Sequence, residues 1–425
     1  MIAASTAPDP LNAFTLAELR RRTSVKWTHY APEVLPLWVA EMDAAPVPEV
    51  TQVVAQMLAA GDTGYPGRIP ARRVVLGDPA ISSGRESAPD YRSLPRYQDA
   101  YAAFAAQRWD LELDTDAMAL MPDVMQGIAH AIRLAGVTNV AITTPVYPPF
   151  RSFPASVGAR VTEAGMSPDG RLDFAELERI FPQVDGFLLC NPHNPSGVAH
   201  TREELARVLE LAAAHSVRVI VDEIHAPMTS PARAAQLGRD PFTPILSVPG
   251  SEGVLVLFSA AKGFNLAGFK AAILVGGSAT HDLIRAVPEV IADGSGTISL
   301  AAHTAALVYG GGWLDSVRAA VDARRAQFAQ GLARIAPQAW VQPADATYFA
   351  WTNLAEVPVR DGNVLGGGTL LGDDPARLLL EQGQLAVNPG VSFGQGGEGF
   401  VRVNLATTPE VISEALARIE HALTC

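Results

Sequence analysis

Between Val254 and Lys270 the chain reads VLVLFSAAKGFNLAGFK. An apolar run, Val254 to Phe258, enters a turn of small residues and meets Lys262 there. Lysine is among the residues least often buried, and an ammonium loses several kcal/mol when desolvated without a partner. Two readings compete: a solvated lysine beyond a strand end, or an amine kept neutral so that it can attack a carbonyl. Other polar residues stand in similar places. GFLLC (186–190) delivers Asn191 and Asn194, and VRVIV (217–221) delivers Asp222 and Glu223. VAITT (140–144) leads to Tyr147, and Ser259 opens the lysine turn. Each has a plain structural reading: Asp222 as a helix cap, Asn194 as a turn residue before proline, Tyr147 as a core ring. Gathered at neighbouring strand ends, they suit a flat, phosphorylated, pyridine-like aldehyde.

The elements that must gather them are short, apolar and rich in β-formers, as suits strands buried on both faces. They are 140–145, 186–192, 217–223, 254–259 and 270–277. Helical periodicity runs between them. TREELARVLELAAAHS (201–216) opens on Thr201 with Glu204 at capping-box spacing, and 123–136 ends at a glycine. This alternation predicts an α/β domain with a largely parallel sheet, whose ligands bind outside the carboxyl ends of the strands. The C-terminal third changes character: a long helix near 313–334, then ATYFAWTNL (346–354), FVRVNLA (400–406) and a last helix over 409–423. That pattern predicts a smaller α+β domain built from residues 1–50 and 301–425, beside a large domain over 51–300. No internal repeat is visible. The Pro-, Ser- and Arg-rich segment 66–95 is longer than ordinary loops, which makes it functional or disordered.

Composition excludes several classes. The chain has 425 residues, 48% of them apolar and 18% charged, a profile for a globular enzyme with a sizeable core. A net charge of −12 argues against nucleic acid, which needs a basic footprint. Two cysteines, Cys190 and Cys425, suggest no disulfide framework and no metal site, and suit a reducing compartment. No signal peptide or membrane-length apolar run is evident, so a cytoplasmic, membrane-free protein is expected.

Three motif matches are decoys. GVSFG (390–394) matches a nucleophile elbow, but no aspartate and then histidine follows it. GQGGEG (394–399) matches a dinucleotide fingerprint, but a strand-like run follows where a helix is required. SAAK (259–262) matches the S-x-x-K of β-lactamases, whose partner triplets are absent.

The runs LPLWVAEMD, TPVYPPF, CNPHNPSG, VDEIHAP, SAAKGFNLAGFK, ATYFAW and GEGFVRVNLA together carry a resemblance across nearly the whole chain. The chain resembles fold-type-I pyridoxal 5'-phosphate (PLP) enzymes of the aspartate aminotransferase superfamily. Within them it is most similar to the MalY/PatB-type cystathionine β-lyase and cysteine-S-conjugate β-lyase group. The resemblance implies a PLP-dependent transferase-like fold in which Lys262 carries the cofactor. Asp222 would pair with the pyridine nitrogen so that the ring acts as an electron sink. Asn194 would meet the ring hydroxyl and help hold the substrate, and Tyr147 would stack on the ring. Ser259, Lys270 and the backbone N–H groups of Val124 and Met125 would hold the phosphate at a helix N-terminus. Arg402 would clamp the carboxylate of a small amino-acid substrate, helped by the backbone at Ala40. Tyr65 would reach a neighbouring subunit's phosphate, which implies a homodimer with composite sites. The 66–95 segment, directly after Tyr65, is then expected near the site mouth.

Three positions depart from the broad family pattern. Asp123 stands where many relatives carry glycine, beside the expected phosphate. Lys270 replaces a common arginine, giving a point charge in place of a fork. His225 stands where aminotransferases usually place tyrosine, beside the ring oxygen, and the D-E-I-H run at 222–225 favours a lyase over a transaminase. An aminotransferase with the same site is the nearest alternative. A PLP-binding transcription regulator would need a helix-turn-helix module, and about 50 acidic-balanced residues before the large domain leave little room for one.

Overall fold

The computed structural model describes residues 9–67, 71, 74, 76, 89–359 and 371–424. Most of the 66–95 segment lies outside the described residues. The described strands, in chain order, are Leu35–Pro36 (β1), Met118–Met121 (β2), Asn139–Thr144 (β3), Arg160–Gly165 (β4), Gly186–Cys190 (β5), Arg218–Asp222 (β6) and Leu255–Phe258 (β7). There follow Ala272–Gly276 (β8), Trp340–Val341 (β9), Phe349–Asn353 (β10), Leu385–Ala386 (β11), Asn388–Pro389 (β12) and Phe400–Asn404 (β13).

Seven of these form one sheet in the order β2-β8-β7-β6-β5-β3-β4. The run from β7 to β4 is parallel, and β8 is antiparallel to both its neighbours. Alternation of side chains explains its burial. Leu189, Val219, Val221, Val256 and Phe258 point to one apolar cluster, and Leu188, Ile220, Leu255 and Leu257 point to another across the sheet. A strand covered on both faces must be apolar at every position, and β5 and β7 are buried throughout.

Two of the helices that cover it start at a side-chain cap. Thr201 and Glu204 form both bonds of the capping box at the head of Arg202–His215. Asp123 caps Val124–Leu134 by accepting from the Gln126 N–H at 2.8 Å.

A second core gathers Leu35, Leu37, Phe328, Leu332, Leu379, Val401, Val403 and Ile412 around the antiparallel sheet β12-β13-β10-β9 and the helix Pro409–Thr424. The N-terminal segment joins it through β1, which pairs in parallel with β11. Helix Gly311–Ile335 serves both cores: Leu314 and Val317 pack in the first, Phe328 and Leu332 in the second. Helix Thr297–Tyr309 sits wholly with the large core through Ala302, Ala305 and Ala306. The boundary expected at residue 300 therefore falls inside a helix. We propose the same two-domain division, with the boundary moved to the link between these two helices.

Candidate active site

The sheet order brings the carboxyl ends of β7, β6, β5 and β3 side by side, so their following residues share one rim. Asp222 ends β6 opposite Cys190 of β5 and Leu257 of β7. It is buried and accepts from the Ile224 N–H at 3.0 Å. Burial raises its carboxyl from 3.8 to about 7, against the pull of that N–H and of the Lys262 charge. A carboxylate placed so deep with a single backbone donor suits a cationic partner.

Lys262 follows β7 in a tight turn and donates from Nζ to the Ala40 carbonyl at 3.0 Å. Burial, reinforced by the Arg402 charge, lowers its amine from 10.5 to about 8, while Glu41 and Asp222 pull the other way. These surroundings suit a working amine: Nζ is turned to the Ala40 carbonyl and lies near Arg402, Glu41 and Asp222. Ala40 also accepts from the Tyr348 hydroxyl at 3.0 Å. Its segment is clamped from both sides. Asn404 of β13 donates to the Val39 and Glu41 carbonyls at 2.7 Å each. Asn265, in the lysine turn, accepts from Met42 N–H at 2.8 Å and donates to Met42 O at 3.0 Å. Asn265 takes φ 56°, a left-handed conformation that asparagine tolerates better than most residues.

Arg402, on β13, is buried, and burial lowers its guanidinium from 12.5 to about 10. Nη1 donates to Asn194 Oδ1 at 2.8 Å and Nη2 to the Trp38 carbonyl at 3.1 Å, while Nε has no partner among the described residues. Its plane lies over the Phe349 ring at 4.1 Å. A buried cation facing only neutral oxygens is ready for an anion. Asn194 reaches it from the NPHNPSG turn, which Gly197 closes at φ 76°; a Cβ there would come within 2.7 Å of Ala344.

His225 is buried with Nδ1 unpaired, edge-on to Tyr348 and Phe349. Burial, then the Lys262 and Arg402 charges, holds it well below the usual range, so it is neutral. Burial raises the Tyr147 phenol, which also feels Arg402, Asp222 and Asp123. Lys270 Nζ pairs with Asp123 Oδ2 at 2.7 Å, beside Val124 and Met125 in the first turn of their helix. The carboxylate that looked adverse to a phosphate thus caps the helix with one oxygen and neutralises Lys270 with the other. The Ser259 hydroxyl donates to the Ala271 carbonyl at 2.6 Å and accepts from the Ala261 N–H at 3.2 Å, because a buried O–H needs an acceptor.

Tyr65 is not brought to this site within one chain. It is 93% exposed and lines a separate cavity of about 740 Å³ with Tyr91, Arg96, Thr297 and Leu300. Sequence reasoning named no role for Trp38, Asn265, Tyr348, Phe349 or Asn404, although all lie in the runs that carried the resemblance. The decoy Ser392 donates to the Pro389 carbonyl at 2.7 Å in a short turn, with no acid–histidine pair. Among the described residues there is no group of metal-ligating side chains and no helix long and apolar enough to cross a membrane.

The arrangement fits the pyridine aldehyde expected above. Asp222 is buried with its carboxyl raised, the Lys262 amine is lowered, and Arg402 Nε and His225 Nδ1 are buried without partners among the described residues. Comparison with known proteins agrees. The profile of the family "Aminotransferase class I and II" matches residues 57–419. A Mycobacterium leprae protein provisionally named cystathionine beta-lyase is 38% identical, covering 98% of each chain. The Corynebacterium glutamicum cystathionine beta-lyase is 28% identical, covering 96% of this chain and 99% of its own. A solved Corynebacterium diphtheriae structure, provisionally described as a PLP-dependent beta-cystathionase, superposes with a TM-score of 0.81 at 28% identity, over 97% of this chain and 99% of that one.

Proposed function

The chain belongs to the aminotransferase class I and II family, and we propose from that premise that it is a PLP-dependent carbon–sulfur β-lyase. It cleaves cystathionine or a related cysteine S-conjugate to a thiol, pyruvate and ammonia. The observation that carries the chemistry is the set Lys262, Asp222 and Arg402: an amine lowered to about 8, a buried carboxylate raised to about 7 and a guanidinium facing only neutral oxygens.

PLP, when bound, supplies an electron sink that stabilises negative charge at the substrate's Cα. Lys262 is the residue that would carry it. Near neutral pH the Lys262 amine has a sizeable neutral fraction, where an ordinary lysine has almost none, so Nζ is able to take the Cα proton. Asp222 would set a negative charge against the ring nitrogen and favour its protonated form. Asn194 and Tyr147 would orient the ring, with His225 near its oxygen. Lys270, Ser259 and the first-turn N–H groups of Val124 and Met125 would hold the phosphate. Arg402 holds the substrate carboxylate, with the Ala40 backbone alongside. The thiolate departs from Cβ, and water completes the three-carbon remainder to pyruvate and ammonia. Tyr65 would complete the site of a second subunit in a homodimer, which its exposure within one chain supports. A reducing, cytoplasmic setting suits the free, buried Cys190.

The test is product balance. L-cystathionine or an S-substituted cysteine yields thiol, pyruvate and ammonia in equal amounts without added 2-oxo acid. Turnover that requires a 2-oxo acid and leaves the carbon–sulfur bond intact makes the protein an aminotransferase instead.

A further inference from the structure

Two buried polar residues outside this set both touch the segment that carries Lys262. Tyr97 opens helix Tyr97–Trp109, and His303 lies within helix Thr297–Tyr309; they are 3% and 0% exposed. Their rings meet edge to face at 5.4 Å. His303 Nε2 is 2.7 Å from the Phe269 carbonyl, and Nδ1 is 3.2 Å from the Tyr97 hydroxyl. The Ala260 N–H reaches the same hydroxyl at 3.1 Å.

The protons on these groups have one consistent arrangement. A carbonyl only accepts, so Nε2 of His303 carries a hydrogen. Burial lowers the imidazole from 6.5 to about 4, so the ring is neutral and Nδ1 offers a lone pair. Burial also raises the Tyr97 phenol, which keeps its proton. The phenol therefore donates to Nδ1 and accepts from Ala260. A one-way chain results: Ala260 N–H to Tyr97, Tyr97 O–H to His303, His303 Nε2–H to Phe269.

Its ends matter because of where they attach. Ala260 is two residues before Lys262, and Phe269 immediately precedes Lys270. Between β7 and β8 the other bonds on the segment include local turn contacts such as Phe264 N to Ala260 O and Leu266 N to Ala261 O, the Ser259 hydroxyl on the Ala271 carbonyl, and Asn265 on Met42; none of them reaches Phe269 from Ala260 through another element. We propose that Tyr97 and His303 are positioning residues, a strut that fixes the separation of Lys262 from Lys270 and so fits the segment to a cofactor held at both its aldehyde and its phosphate. This rests on the reading that Lys262 carries the cofactor and Lys270 its phosphate.

The test compares Tyr97→Phe, His303→Leu and His303→Gln, the last keeping one donor and one acceptor. Cofactor-free protein is titrated with pyridoxal 5'-phosphate and, separately, with pyridoxal, which lacks the phosphate. Tyr97→Phe and His303→Leu are expected to weaken the phosphate ester about tenfold or more, as when a buried polar group loses its partner, and pyridoxal much less. The pH at which the visible absorption of the bound cofactor titrates should also move, and His303→Gln should restore most of both. Wild-type affinity and midpoint in Tyr97→Phe and His303→Leu overturn the proposal, as does equal weakening of the two ligands. Borohydride reduction and peptide mapping of the wild type separate the two levels. An adduct away from Lys262 defeats the underlying reading, whereas an adduct on Lys262 with unaffected variants defeats only the strut.

Discussion

Asp222 and Glu223 are neighbours in sequence and both buried, yet they have different work. Asp222 lies near the Lys262 amine, while Glu223 Oε1 accepts from the Ile245 N–H at 2.9 Å. Burial raises Glu223 from 4.5 to about 8, countered by that N–H and reinforced by Asp222. With Asp222 raised from 3.8 to about 7, the folded cofactor-free protein binds more protons than the unfolded chain across this window. Stability contributed by the two carboxyls is therefore complete below about pH 4 and is lost as pH rises towards about 8. Melting of cofactor-free protein should show Tm falling over this range. Glu223→Gln, which keeps the acceptor for Ile245, should flatten the fall. An unchanged slope would mean that these carboxyls are not the source. Binding a cofactor whose ring nitrogen is cationic should remove the Asp222 part, because an opposite charge favours the ionised form.

The helix Val124–Leu134 shows how one residue serves an element and a site together. Asp123 caps it through Oδ1, and its Oδ2 occupies Lys270. Asparagine caps about as well as aspartate, and a half-exposed ion pair contributes little, so Asp123→Asn should alter stability by less than about 1 kcal/mol. It should also free Lys270 and leave the helix N-terminus facing the phosphate without a competing carboxylate. Affinity for pyridoxal 5'-phosphate is then expected to rise severalfold in an equilibrium titration. A weaker complex would show that Asp123 is needed to aim Lys270. The lysine turn depends on other elements more heavily, through Tyr97 and His303 and through the bonds of its own Asn265 to Met42.

At the scale of the whole molecule the site lies where two cores meet. Lys262, Asp222 and Asn194 come from the large sheet's rim, Arg402 and the anchor of Ala40 from the small sheet, and helix Gly311–Ile335 ties the cores together. Tyr65 is the member that a single chain leaves outside. If it serves a second subunit, Tyr65→Phe and Lys262→Ala proteins are each defective, and mixing them under exchange conditions should restore partial activity. One hybrid site would then hold both intact residues. A fully active monomer at assay concentration would exclude composite sites.

What the sequence determined by itself is the set of strands buried on both faces, the capped helices between them and the reactive residues at the strand ends. These are local: a doubly covered strand must be continuously apolar, and a capping box acts within four residues. The observed β5, β6, β7 and β8 each lie within a segment expected to be a strand, β3 starts one residue before its own, and Thr201 caps where its spacing indicated. Two strands of the large sheet escaped. MALM in β2 has no β-branched residue, and the edge strand β4 carries exposed Arg160 and Glu163, so only pairing with β8 and β3 makes them strands. Lys262 alone allowed either a solvated or a working amine. Only the tertiary structure decided what surrounds it: burial and then the Arg402 charge, 140 residues away, lower the amine, while Nζ donates to the Ala40 carbonyl, 222 residues away. Desolvation and charge act through space, and separation along the chain carries almost no record of them.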